Sequence, residues 1–177
     1  CVVYAPKLTG YMCVSEVICY YRKGKQRKED ENMRNIFTET YEKEQELKRA
    51  YDAAATEGQR EEIRKEFQKL MNKIGELEPA DQMLWRVYEQ ARECGNERID
   101  LNDCISEEKV VDWIRGFRKY GFKEFTFSST WSSAVEVAWL FTKEGCTLEG
   151  LVEINSNHKK FMSDEYEKAH GYLFKVN

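Results

Sequence analysis

Five apolar residues, Ile63, Phe67, Leu70, Ile74 and Leu77, recur at spacings of four, three, four and three, and the run stops at Pro79. That spacing is a heptad seam, which puts all five side chains along one side of a helix. The seam is too short for an independent coiled coil, so the helix has to bury it against a neighbour in the same chain. The preceding stretch supplies one, with Ile36, Phe37, Thr40, Tyr41, Leu47, Tyr51 and Ala54 near helical spacing among Glu, Lys and Arg. Between the two lies Thr56-Glu57-Gly58-Gln59. Thr56 in the N-cap position with Gln59 three residues on is a capping box, and Gly58 weakens any helix running straight through. A helical hairpin is the expectation; one continuous helix from Met33 to Leu77 is the alternative. Pro79 suits the first turn of a third helix. That helix carries Met83, Leu84, Val87, Tyr88 and Ala91, with Trp85 near the edge of the stripe, and Gly95 marks its end. The periodicity makes these residues core. Residues 33–95 therefore read as a helical region.

Beyond Gly95 the pattern changes. Residues 96–105 read as a linker. Ser106 followed by Glu107 and Glu108 opens a helix whose apolar face is Val110, Val111, Trp113, Ile114, Phe117 and Tyr120, and Gly121 closes it. Phe122, Phe125 and Phe127 mark a strand. A helix from about Trp131 to Lys143 is apolar nearly all round (Ala134, Val135, Val137, Ala138, Trp139, Leu140, Phe141), which predicts that it is largely buried. Two more strands are expected at Leu148–Ile154 and Gly171–Val176, with Phe161–Lys168 a short helix or loop between them. The helical crossover makes the first two strands candidates for parallel pairing if they are neighbours, with the third antiparallel. The fold class is α+β: an N-terminal helical hairpin plus third helix, then an α/β part over 96–177 with a roughly three-stranded mixed sheet in the order helix-strand-helix-strand-strand.

Residues 1–32 differ from the rest, mixing Cys, Tyr, Val and Gly before turning abruptly charged. Lys28-Glu29-Asp30 can be encoded by AAGGAGGAT, which contains a bacterial ribosome-binding sequence, and two further codons separate it from Met33. Residues 1–32 are then a translated leader and Met33 the natural start. The competing reading is an N-terminal arm with a basic tip, Arg22 to Lys28, able to touch nucleic acid.

Aromatic residues make up 13% of the chain, which argues against disorder because these side chains bury large areas. The net charge of -4 disfavours attraction of the whole protein to DNA phosphates and suits a basic partner. No apolar run is long enough to span a bilayer, and Tyr11–Tyr21 lacks the order of a secretory signal. A cytoplasmic protein without membrane contact is the expectation. The six cysteines are irregularly spaced with no Cys-x-x-Cys pair, as expected of free thiols.

Catalytic signatures are weak. Cys146 and His170 are the materials of a nucleophilic pair, but no family context joins them. Glu149, Glu153 and Asp164 could cluster around Mg²⁺, although solvated strand faces use the same residues. Ser128-Ser129-Thr130 could hold an anion at a helix start, although ordinary capping needs the same hydroxyls. Zinc spacing and a glycine-rich phosphate loop are lacking. The expectation is a binding protein with no enzymatic activity and no cofactor or metal. Its positive candidates for nucleic acid are Arg115, Arg118, Lys119, Lys123, Lys159 and Lys160, diluted by acidic neighbours. Its acidic candidates for a protein partner are Glu42, Glu44, Glu46, Glu61, Glu62 and Glu66 on one surface and Asp164, Glu165 and Glu167 on another, against the plainer reading of solvated helix faces.

Several phrases in the C-terminal third carry a resemblance: Phe125-Thr126-Phe127-Ser128-Ser129-Thr130-Trp131, Ala134-Val135-Glu136-Val137-Ala138-Trp139, Gly145-Cys146-Thr147-Leu148-Glu149-Gly150-Leu151, and the ending Ala169 to Asn177. The segment resembles small accessory proteins of bacterial phages and mobile elements, among them anti-CRISPR proteins that inhibit Cas9. The resemblance implies a non-enzymatic inhibitor of a CRISPR effector nuclease, Cas9, whose guide and target channels are positively charged. The alternative function is a nucleic-acid-binding accessory or regulatory protein of a phage or mobile element.

Overall fold

The computed structural model describes residues 36–102 and 105–177. The leader or arm over 1–32, the start at Met33, and Cys1, Cys13, Cys19 and Cys104 lie outside the described residues. Helix α1 is described from residue 36 to residue 53 and α2 spans Glu57–Gly75. The chain breaks between them where the sequence predicts. The Thr56 side chain accepts from the Gln59 N–H, and the Gln59 side chain accepts from the Thr56 N–H. The capping box satisfies backbone donors that a continuous helix would have engaged, so the hairpin forms instead of one long helix. On α2 the seam residues Ile63, Phe67, Leu70 and Ile74, and Leu77 just after it, are half-buried or buried, and the residues between them are largely exposed.

Helix α3 spans Pro79–Glu93, with Pro79 in its first turn. It ends in a Schellman motif: the Asn96 N–H reaches the Ala91 carbonyl and the Gly95 N–H reaches that of Arg92, with Gly95 at φ 74°. A side chain with a Cβ is strained at that φ. Gly121 closes the next helix in the same way. A 3₁₀ turn, Glu107–Lys109, leads into α4, Val110–Lys119, and α5 spans Ala134–Lys143.

The strands are β1 (Ile99–Asp100), β2 (Glu124–Phe127), β3 (Cys146–Lys159) and β4 (Tyr166–Val176). They form a four-stranded mixed sheet in the order β1-β2-β4-β3. The α+β class stands, with one strand more than the sequence indicates. The extra strand lies in the presumed linker and makes the parallel pair with β2, across α4. The expected parallel pairing of the second and third sheet segments does not occur, because β4 inserts between β2 and β3 and pairs antiparallel with both. Of the short helix or loop expected at Phe161–Lys168, residues 161–165 form a loop, the turn of the long β3–β4 hairpin, while residues 166–168 are already the start of β4. Its strands are polar near the turn (Asn155, Ser156, Asn157, His158, Lys159) and exposed on both faces there, so no apolar alternation betrays them.

Two groups of rings hold the layers together. Phe37, Trp85, Tyr88, Tyr120 and Phe122 join α1 to α3 and α4. Phe117, Phe125, Phe127, Phe141 and Phe174 pack α4 and α5 onto the sheet, with Phe125 stacked on Phe174 at 5.3 Å and on Phe117 at 4.7 Å. Phe117 meets Phe122 edge-on and joins the two groups into one core. Gly116 lets α4 approach α3, since a Cβ there would sit 3.1 Å from Leu84 Cδ2.

Candidate functional site

Helix α5 departs most from expectation. Its sequence is apolar nearly all round, which predicts a largely buried helix, yet only Val137 and Phe141 are buried, beneath the helix and against the sheet. Trp131, in the turn before the helix, and Val135 and Trp139 within it are 57%, 72% and 59% exposed. They recur every four residues and so form a line along the outer side. Two indoles and a valine open to water on one short element are unusual for a face with no partner, because each leaves much apolar area hydrated. Among the described residues the only charge–ring contact on this line is Lys143, whose Nζ lies 5.1 Å from the centroid of Trp139. A second exposed apolar point is the hairpin turn, where Phe161 and Met162 are almost fully exposed and Met162 holds a positive φ of 54°.

The acidic candidates divide. Glu42, Glu46, Glu61, Glu62 and Glu66 are exposed on the α1–α2 hairpin, Glu46 paired with Lys43 and Glu61 with Arg64. Glu44 differs: it is 2% exposed, faces α3, and binds Lys48 Nζ at 2.7 Å through Oε1. Its position on the buried side of α1, three residues before Leu47, takes it off the expected acidic surface. Its other oxygen, Oε2, is buried with no donor among the described residues. Beside it lies Glu89 of α3, whose carboxyl is pushed up to about 7 by burial first, then by the close approach and charge of the Glu44 carboxylate and by the charge of Glu93, with Lys48 opposing. On the hairpin turn, Asp164 pairs with Lys159 and Glu165 with Lys160; Glu167 is exposed.

The positive candidates do not form one patch. Arg118 donates to the Asn177 and Glu144 carbonyls and so ties α4 to the end of the chain and to the end of α5. Lys119 is paired with Asp81, a buried carboxylate at the start of α3. Arg115 pairs with Asp112, while Lys159 and Lys160 engage the hairpin's own acids at the far end of the sheet. Lys123, just before β2, has no ion-pair partner among the described residues.

The remaining candidates are separated or occupied. In the β3–β4 register Cys146 opposes Val176 and His170 opposes Glu153, which puts Cys146 and His170 about 20 Å apart along the hairpin. Glu153 is paired with Lys168 and Asp164 sits at the turn, so Glu149, Glu153 and Asp164 are strung along the hairpin rather than gathered. Among the described residues no group of three or more His, Cys, Asp or Glu could hold a metal ion. Ser128 donates to Asp100 Oδ2 at 2.6 Å and Thr126 to Oδ1 at 2.7 Å. Asp100 thereby pins β1 to β2 and takes the Ser128 hydroxyl. Ser129 accepts from the Trp131 N–H, a local turn contact. Cys94 and Cys146 are free and buried, and burial raises both thiols above their ordinary ionisation range.

Residues 83–176 match the family described as Domain of unknown function (DUF7698), just over half of the 177 residues. The chain belongs to this family. The match runs from within α3 to the end of β4, so it takes in α5 and the whole sheet and leaves out the α1–α2 hairpin. No curated protein and no solved structure matches the chain. No helix among the described residues is long and apolar enough to cross a membrane.

Proposed function

We propose that the protein acts without catalysis, by binding a basic, nucleic-acid-handling protein through the outer line of α5. The observation that supports it most is the exposure of Trp131, Val135 and Trp139 along the side of α5 opposite the buried Val137 and Phe141. Tryptophan is the side chain most enriched where a few contacts supply most of a binding energy. The partner's basic character follows from the chain's net charge of -4 and from the exposed carboxylates of the α1–α2 hairpin, which would steer a positively charged partner during encounter. The resemblance of the Phe125–Trp131 and Ala134–Trp139 phrases to anti-CRISPR accessory proteins makes a guide-loaded Cas9 the first partner to test.

The test measures binding of guide-loaded and free Cas9 to the full chain and to Trp139→Ala and Val135→Glu, with circular dichroism to verify the fold. Binding that weakens at least about tenfold in both variants supports the α5 face. No binding to either form of Cas9 removes that partner. Binding that both variants leave unchanged removes the face. The nucleic-acid reading predicts instead binding to DNA or RNA alone, falling steeply with added salt. Five of its six cations are already held in contacts within the chain.

A further inference from the structure

We propose that α1 is latched to α3 by a proton shared between Glu44 and Glu89, so that docking of the α1–α2 hairpin on the rest of the fold weakens when that proton is lost. The geometry begins with Glu44. It is 2% exposed, one carboxylate oxygen is bound to Lys48, and the other, Oε2, is buried with no donor among the described residues. A buried acceptor left empty is costly. Protonated Glu89 supplies the donor: its O–H can point at Glu44 Oε2, and the pair then carries one negative charge, matched by Lys48.

Among the described residues the surroundings supply no second donor or counter-charge. From α1 the charged or titratable groups facing the pair are Tyr41 and Lys48, and from α3 Glu93. Among the described residues Lys48 is the one cation at the pair, and it is already divided between Glu44 and Glu93, the latter at 3.4 Å. Arg64 of α2 lines the same crevice as Lys48 but is committed to Glu57, Glu61 and the Tyr51 hydroxyl. When Glu89 ionises, three carboxylates face one lysine. The α1–α3 contact also contains Phe37 against Trp85 and Thr38 against Tyr88, so repulsion at the pair acts directly on the surface that holds the hairpin down.

The sign follows from linkage. Glu89 keeps its proton up to about pH 7 in the fold, whereas in the unfolded chain it loses it near 4.5. Between these values the docked state binds more protons, so stabilisation is complete below about 4.5 and is lost as pH rises through about 7. Glu89 is partly open to solvent, which reduces the effect to about tenfold in the docking equilibrium.

Hydrogen exchange measured by mass spectrometry on the full chain, corrected for the intrinsic pH dependence of exchange, reads this directly. Protection of residues 36–53 should fall about tenfold between pH 5.5 and 8 while protection of β2 and β4 stays level. Glu89→Gln keeps a donor toward Glu44 but cannot ionise, and should remain protected across the whole range. Glu93→Gln removes a like charge from an exposed position and should move the midpoint to lower pH. Protection of 36–53 that is level in the wild-type protein, a Glu89→Gln profile that follows the wild type, or a midpoint unmoved in Glu93→Gln would each overturn the proposal.

Discussion

Lys119 offers a sharp separation between a structural and a nucleic-acid-binding role. Its ammonium pairs with Asp81, whose side chain is only 6% exposed, while Lys119 itself is 35% exposed. The pair ties the end of α4 to the first turn of α3, and the Tyr120 hydroxyl is buried against the same carboxylate. Burial first and the Asp81 charge second hold that hydroxyl in its neutral form well above the ordinary tyrosine range. In Lys119→Met the lysine stem is kept and the charge removed, which leaves Asp81 buried without a counter-ion. Breaking a fully buried pair in this way costs about 3–5 kcal/mol. The lysine end of this pair reaches water, so part of the Asp81 charge is resolvated, and about 2–3 kcal/mol is expected. In a chain of this length that corresponds to a melting temperature lower by about 5–10 °C. Urea unfolding followed by circular dichroism supplies the free energy, provided the slope with denaturant is unchanged. Adding Asp81→Asn should recover most of the loss, because the double variant no longer buries a charge. A Lys119→Met protein within about 0.5 kcal/mol of wild type would refute the reasoning, because Asp81 would then not depend on Lys119. The same variant would still unfold normally if Lys119 served only to meet phosphates.

Three further outcomes are expected. Thr56→Ala removes one half of the capping box and should cost about 1 kcal/mol, read by urea unfolding, with the loss of protection concentrated at the start of α2. Phe141→Ala should cost about 3–5 kcal/mol, because Phe141 touches Phe125, Phe127 and Phe174, whereas Trp139→Ala should stay within about 0.5 kcal/mol; equal losses would show that the outer line of α5 is core after all. Asp100→Ala strips the Thr126 and Ser128 hydroxyls of their acceptor and should cost about 1–3 kcal/mol by thermal melting, where a linker residue would cost nothing.

Local signals carried the helical half. The seam, the capping box at Thr56, Pro79 and Gly95 all act within a few residues, so their physics is complete in the sequence itself. The same holds for the Schellman stop at Gly121. Strand pairing is different in kind. Ile99 and Asp100 make too short a run to show any alternation, and they become a strand only because β2 lies beside them and Asp100 meets the hydroxyls of Thr126 and Ser128. The placing of β4 between β2 and β3 depends on which faces can cover Phe125 and Phe174 together, a contact across many residues of sequence. The candidate site was partly legible. The all-round apolar character of α5 is visible in the sequence, but a helix buried on every side and a helix with one side kept for a partner share that composition. Likewise periodicity places Glu44 on the same side of α1 as Leu47, yet only the arrival of α3 decides that its carboxylate is buried and that Glu89 stands beside it. The sequence alone thus determined where helices start and stop, because caps, seams and glycine ends are local chemistry. The tertiary structure decided which apolar side of α5 meets water and which carboxylates are buried side by side, because burial is a property of what packs against a residue and not of the residue.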